Sequence, residues 1–548
     1  MVKRLMNHTS KTVFSAAFIL AVMALLSRVL GLLRDRMLAG KFGAGDDLDI
    51  YFAAFRLPDL IYSILIMGAI SSAFIPVFAE YFKKDEKEAW SLAGKLFNWI
   101  FLIIIGLSLI FIIFAPQVVS FLAPGFSGAK KSMTVLMTRI MFFSPLLLGL
   151  SSIISGALQY FHRFFVYSLA PIMYNAGIII GILFFVPKMG LIGLAWGVVL
   201  GAGLHLLIQL PSVIYSGFKF KLGISLHSGI KKILKLTIPR TIGMAGAQIN
   251  YVVITAIASS LAVGSIAIFN LANNLQNVPI GIIGISFATA VFPRLANSSA
   301  EKDGSKFSKD FSSAFSQILY FVLPIAAIFF VLRAQIVRLV LGTGQFGWAD
   351  TRLTAAALGI FAISVFAQSL IPLISRAFYS LHDTKTPVSI SLIGIGLNIV
   401  LSIGFVWVLN GNNMFSSFFS DLFRLGGIKK FAVLGLPLAF SLSSIFNFVV
   451  LMKFFNKKTK EWGAKYVLNS IYKMILSCVG MSVVIYGCLQ FLNLFFNTQT
   501  FLGLFLQTGI SALIGAGVYF AVSLWYKLPE PISFMKKIFK NDYDTEQY

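Results

Sequence analysis

Arg28, Arg34, Asp35 and Arg36 close a long apolar run, in the stretch SRVLGLLRDR (27–36) that follows TVFSAAFILAVMALL (12–26). A guanidinium is permanently charged, and its N–H groups form a fork that matches two oxygens of a phosphate or carboxylate. A charge held at membrane depth is costly, so an ionisable residue there marks a functional site by default. On a helix, Arg28 and Arg34 lie about 120° apart with Gly31 between them, and Asp35 returns to the Arg28 face. That wedge fits a water-filled cavity attracting an anion better than it fits lipid. The other reading is interfacial snorkelling with an Asp35 ion pair.

Other residues offer weaker chemistry. Arg56 stands beside a Leu-Pro break just inside a second apolar run. Arg139, Arg240 and Arg376 read as ordinary interfacial arginines, and His162 and His382 as loop-entry or packing residues. Gln248, Asn250 and Asn398 lie inside later apolar runs. Their side-chain oxygens suit either a coupling cation or, more simply, hydrogen bonds between helices. Cys478 and Cys488 share one run and, on a helix, stand roughly 15 Å apart, too far for a disulfide. No metal-ligand spacing, nucleotide-binding glycine loop or acidic pair on a supporting loop is present, which argues against a membrane glycosyltransferase or ligase.

These residues need membrane helices to position them. Hydrophobic residues make up 58% of the 548 and charged residues 12%, and mean hydropathy is +0.86. Such a chain is a polytopic membrane protein. Stretches of about 20 apolar residues predict spans near 12–34, 50–80, 95–123, 134–160, 165–187, 190–216, 237–263, 268–296, 312–342, 353–381, 387–409, 431–455, 468–495 and 500–526. The fold class is therefore all-α, with about fourteen transmembrane helices. The basic-then-apolar start is read as the first span, not a cleaved signal, because the run is long and the pattern recurs. Pro58, Pro76, Pro145, Pro171, Pro279 and Pro293 predict kinks.

The net charge of +25 sits in short loops, where orientation signals belong, and does not indicate nucleic acid. With both termini cytoplasmic, clusters such as Lys83, Lys84 and Lys87, Lys231, Lys232 and Lys235, and Lys457, Lys458 and Lys460 face inward. Outside segments hold far fewer basic residues. Arg34 and Arg36 then approach the outer face, against the positive-inside rule.

The chain also echoes itself. Ala73, Pro76 and Ala79 recur as Ala290, Pro293 and Ala296 at an offset of 217. Ser155, Ala157 and His162 recur as Ser375, Ala377 and His382 at an offset of 220. GLAWGVVL (193–200) resembles GLPLAFSL (435–442). The echoes predict an N-lobe of six spans (1–217), an amphipathic cytoplasmic linker on the membrane surface (218–236) and a C-lobe of six spans (237–456). Spans 13 and 14 (457–526) and a cytoplasmic tail (527–548) follow. Parallel repeats of this kind move substrate by rocking about a central site.

SRVLGLLRDRMLAGKFGAG (27–45), DIYFAAFRLPDL (49–60), GAISSAFIPVFAEY (68–81) and SRAFYSLHDTKTPV (375–388) resemble the MurJ (MviN) lipid II flippases, of the multidrug/oligosaccharidyl-lipid/polysaccharide exporter superfamily. The resemblance implies a flippase, not an enzyme. It would move the undecaprenyl-pyrophosphate-linked peptidoglycan precursor, lipid II, to the outer leaflet of the bacterial inner membrane by alternating access. It also implies a cationic N-lobe cavity and a lipid-tail groove in the last two helices. Arg28 and Arg34 match the family's first-helix arginines, and Asp35 and Asp49 its acidic positions. Tyr62, Met67 and Asn274 stand where the family pattern carries Arg, Glu and Arg, which places more of an anion grip on Arg28, Arg34 and Arg56. Membrane lipids are the other partners, with a monomeric chain, no cofactor, and coupling to a monovalent cation or the membrane potential. The alternatives are a flippase for another polyprenyl-linked oligosaccharide and a cation-coupled multidrug exporter of the same superfamily.

Overall fold

A backbone in hydrocarbon must satisfy its own hydrogen bonds, and a helix does so within one segment. The computed structural model describes residues 13–64, 73–219, 223, 225, 227–459 and 462–532, without the side chains of 13–17, 236, 238–244, 465 and 466. Met67, most of 218–226, the Arg240 side chain and the tail beyond 532 lie outside the described residues. These residues hold helices and turns, with no strand among them.

The chain forms two compact units. The first runs to Ala267 and adds Thr343–Gly347. It holds α1 (Val13–Phe42), α2 (Asp46–Tyr62), α3 (Ile75–Lys84), α4 (Glu86–Ile113), α5 (Gly128–Tyr160), α6 (Phe164–Met189), α7 (Ile192–Tyr215) and α8 (Ser228–Ser259). The second takes Ile268–Gly342 and Trp348 onward. It holds most of α9 (Ser265–Ala300), then α10 (Gly304–Val331), α11 (Arg333–Val340), α12 (Trp348–Ala362), α13 (Val365–Ser380) and α14 (Lys385–Asn410). It ends with α15 (Met414–Leu422), α16 (Ala432–Lys458), α17 (Val467–Leu492) and α18 (Phe501–Trp525).

Among the described residues, each stretch predicted as a span contains helix; the predicted span 50–80 includes residues 65–72, which lie outside the described residues. Among the described residues, ten helices are long and apolar enough to cross a membrane, or eleven if α12 and α13, bent by 44°, make one span. The protein is a multi-pass membrane protein.

The predicted linker is helical from Ser228 and continuous with α8. Its Ile230 and Ile233 are buried in one cluster with Phe78 of α3 and Trp90 and Leu92 of α4, while Lys232 pairs with Glu80. The apolar face thus docks on protein, and α8 groups with the first unit.

Pro58, Pro171 and Pro293 sit inside helices. π-helical turns interrupt spans at Gly181–Phe185 in α6 and at Ile280–Ile285 in α9, directly after Pro279.

Two glycine ladders fix α6 to α7. Gly177 and Gly181 face Gly193, Gly197 and Gly201, all at four-residue spacing. A Cβ on Gly177 would stand 2.3 Å from Gly201 Cα, and one on Gly181 2.5 Å from Gly197 Cα. Backbones approach this closely only where both partners lack side chains. Gly181→Leu should cost about 1–3 kcal/mol by overpacking, read as a lowered melting temperature in detergent. Gly106→Leu, where a Cβ meets nothing within 4 Å, should leave it unchanged.

The echo at His162 and His382 has a structural counterpart. Both take a left-handed backbone, φ 55° and 58°, just past a helix end. Arg163 N–H donates to Leu158 O, and Asp383 N–H to Phe378 O, each at 2.9 Å. The same helix-ending turn is built twice.

Candidate functional site

Arg34 lies where α1 meets α6. Its Nε and Nη2 both donate to Asp35 Oδ1, at 3.0 and 2.8 Å, and its Nη1 donates to Asn175 Oδ1 at 3.0 Å. Asn175 in turn donates to Pro171 O at 3.2 Å and to Ser27 O at 3.4 Å. The amide therefore ties α6 to α1 at two points and holds the guanidinium plane. Gly31 faces this amide: a Cβ there would sit 4.0 Å from Asn175 Oδ1. The Asp35 ion pair of the snorkelling reading is formed, but Asp35 is only 3% exposed, and the pair lies inside protein. Asp35, seven residues from Arg28 on the helix, pairs with its sequence neighbour Arg34. Arg28 is half-buried on the same helix. Tyr51 of α2 and Tyr174 of α6 lie close enough to Arg34 to interact electrostatically.

Arg56 occupies a second position in the same unit. Its Nε donates to Thr255 Oγ1 at 3.2 Å, and its guanidinium carbon stands 5.2 Å from the centre of the Tyr251 ring, both on α8. Asp59, one turn further along α2, supplies opposite charge. Arg56 thus joins two helices and carries its charge within the protein.

Asp49 does different work. Its Oδ2 accepts from Gly264 N–H at 2.8 Å and its Oδ1 from Ala267 N–H at 3.0 Å. Lys130 Nζ reaches Asp49 Oδ2 at 3.2 Å and Asp46 Oδ1 at 2.5 Å. The carboxylate supplies the acceptor that orphan N–H groups at a helix start require. Gly264 is obligatory there: its φ is +85°, and a Cβ would stand 1.9 Å from Ala44 O.

The remaining candidates are divided between the two units. Gln248 and Asn250 are two residues apart on α8 and point to different faces. Gln248 Oε1 and Asn250 Oδ1 are buried without a hydrogen-bond partner among the described residues. Asn398 belongs to the second unit, where its Oδ1 accepts from Ser402 Oγ at 2.9 Å. Asn274 is half-buried on α9 beside a polar chain in which Gln276 donates to Asn273, Gln368 to Gln276 and to Ser364, and Ser364 to Ser441. That chain reaches the bend between α12 and α13. Arg139 donates to Ile112 O, and Arg376 to Ile285 O and Thr289 Oγ1. Among the described residues no group of three or more His, Cys, Asp or Glu side chains is placed to hold a metal.

The stretch HDTKTP is a loop fastener. Asp383 accepts from Thr386 N–H and Oγ1 and pairs with Lys458 at 2.8 Å. Burial pushes its carboxyl up, but these hydrogen bonds outweigh it and hold the group below its ordinary range.

Sequence reasoning missed Asn175, Lys130, Tyr251 and Thr255. Asn175 alone left a signal, as the single amide in the run FFVYSLAPIMYNAGIII (164–180).

Residues 38–506 match the family model described as lipid II flippase MurJ. The chain belongs to the MurJ family. Relatives include the probable lipid II flippase MurJ of Vibrio cholerae, 30% identical over 414 residues, covering 73% of this chain and 78% of that one. The lipid II flippase MurJ of Burkholderia cenocepacia is 29% identical over 389 residues, 69% of this chain and 75% of that one. The probable lipid II flippase MurJ of Rickettsia prowazekii is 27% identical over 529 residues, 94% and 98%. Among solved structures, a lipid II flippase MurJ in an inward closed conformation superposes with a TM-score of 0.75 at 26% identity, over 93% of this chain and 99% of that chain. An inward-facing MATE family multidrug transporter of the MOP superfamily gives 0.63 at 14% identity, over 81% of this chain and 95% of that chain. At that identity the likeness is one of fold, and the MurJ fold is thus the all-helical one that MATE transporters share.

Proposed function

We propose that this MurJ-family chain is a lipid II flippase that carries the undecaprenyl-pyrophosphate-linked peptidoglycan precursor from the inner to the outer leaflet. The observation that carries the reading is the Arg34 fork, held inside the protein by Asp35 and Asn175 in the first span. A positioned guanidinium suits a phosphate oxygen pair. A cation exporter needs a carboxylate free to take a cation. Here Asp35 pairs with Arg34, and Asp49 with Lys130 and two backbone N–H groups.

In this reading the chain works as a monomer with fourteen spans in the bacterial inner membrane. The lysine bias of the loops supports cytoplasmic termini. The protein catalyses no covalent step and holds no resident cofactor. A monovalent cation or the membrane potential drives the cycle, and the two lobes alternate access.

The test is replacement of the essential lipid II flippase of a host bacterium by this gene. Growth with normal wall synthesis is the expected result. Lysis, with the protein present in the membrane at normal level and lipid II retained in the inner leaflet, would overturn the reading.

A further inference from the structure

A second cluster of arginines lies entirely in the second unit. A cavity of about 870 Å³ opens there, and Arg333 and Arg338 of α11, Arg352 of α12 and Arg424 after α15 all line it. None of the four belongs to an ion pair among the described residues. Arg333 donates to Phe330 O at 2.8 Å and stands over the Phe423 ring, and Arg352 donates to Gly426 O at 3.1 Å. Arg333 and Arg424 lie near enough to repel each other. Like charges gathered with no carboxylate among the residues lining the cavity call for an anion to share them.

Three further observations bear on the occupant. Arg424 takes φ +53°, a left-handed turn position that glycine fills without strain, while Gly426 and Gly427 stand just beyond it. In the proposed orientation this face is the outer one, where arginine runs against the positive-inside rule. The cavity shares Phe330 and Val331 with an apolar groove of about 500 Å³ that runs past Leu323, Phe366 and Val479. An anion here is therefore one that a lipid bears. A bare phosphate would leave most of the cavity empty. Trp348, 63% exposed, and the amide of Gln490 line the remainder. An aromatic face with amide groups suits a sugar.

We propose that this pocket is a second anion site, receiving the diphosphate-sugar head of a lipid-linked saccharide on the outer side of the membrane. The proposal rests on the flippase reading. It adds a station in the second unit, separate from Arg34, that would hold cargo after its head has crossed.

The experiment is native mass spectrometry of the full-length protein titrated with an undecaprenyl-diphosphate-linked disaccharide. The wild type should bind two, and Arg34→Ala should keep one. Arg333→Ala/Arg424→Ala should keep the other, and the triple variant should bind none. Arg424→Gly guards against misfolding, since it removes the charge and relieves the backbone. It should melt no lower than the wild type and weaken the second event by about tenfold. Stoichiometry unchanged in Arg333→Ala/Arg424→Ala would overturn the second site. So would displacement of the disaccharide lipid from Arg34→Ala by equimolar phosphatidylglycerol, which would make the pocket a general anionic-lipid site. A wild type that binds a single copy, lost in Arg34→Ala, overturns this site and leaves the flippase reading standing. A wild type that binds none overturns that reading as well.

Discussion

Arg34→Ala should abolish replacement of a host lipid II flippase, with transport reduced by at least about 100-fold, in line with losing a charge-assisted fork from a largely buried site. The single variant alone is ambiguous. It strips a buried Asp35 of its guanidinium and frees the Asn175 oxygen. Breaking one partner of a buried pair costs about 3–5 kcal/mol, so abundance should fall too. Arg34→Ala/Asp35→Ala removes the stranded charge and should recover much of the abundance with none of the transport. Arg34→Lys keeps a charge but cannot span Asp35 and Asn175 as a planar fork, and should be intermediate. Quantitative immunoblotting of membranes beside the growth assay separates the two effects. Normal growth of the double variant would reduce Arg34 to a structural pair.

Asp49→Ala should be the most destabilising substitution outside the apolar cores. It leaves Gly264 and Ala267 N–H without their acceptor and Lys130 without its deeper partner. Two orphaned donors and a half-broken ion pair together cost on the order of 3–5 kcal/mol. Asp49→Asn keeps an acceptor oxygen but loses the charge facing Lys130, and should fall between. Thermal melting of purified protein is the measurement, with binding of a diphosphate lipid measured on the folded fraction. An unchanged melting temperature with binding lost would make Asp49 a ligand contact instead of a clasp.

The helices were legible because a bilayer leaves the sequence little choice. Twenty apolar residues can satisfy their backbone there only as a helix, and ten or eleven of the expected fourteen spans are met by helices long and apolar enough to cross a membrane among the described residues. The duplicated turns at His162 and His382 were legible as letters, but their left-handed geometry was not. The site was legible only in part. Arg28, Arg34 and Asp35 announce themselves by their cost in an apolar run. Their partners do not, because Asn175 is 141 residues from Arg34 and Thr255 is 199 from Arg56. No periodicity within one helix reports which face of another it will meet. The Arg34–Asp35 pair is hidden for a related reason: a wheel places Cβ atoms, while a long guanidinium can fold back to a neighbour one residue away. Arg333, Arg338, Arg352 and Arg424 are invisible as a group in the sequence because two helices and a later turn carry them and only the packed unit brings them together.

The π-helical turn at Ile280–Ile285 in α9 has a consequence for how this helix presents itself to its surroundings. Each such turn inserts one residue into the repeat and so rotates all that follows by about 100° relative to an uninterrupted helix. Asn270, Asn273, Asn274 and Gln276 lie before the interruption, and Thr289 and Arg294 after it. The helix is continuous as a rod but not as a pattern. Its two halves are out of phase, so one can be wet while the other is greasy on what looks like a single side. A substitution profile along it should obey one rhythm up to Pro279 and restart on a displaced beat from Ser286.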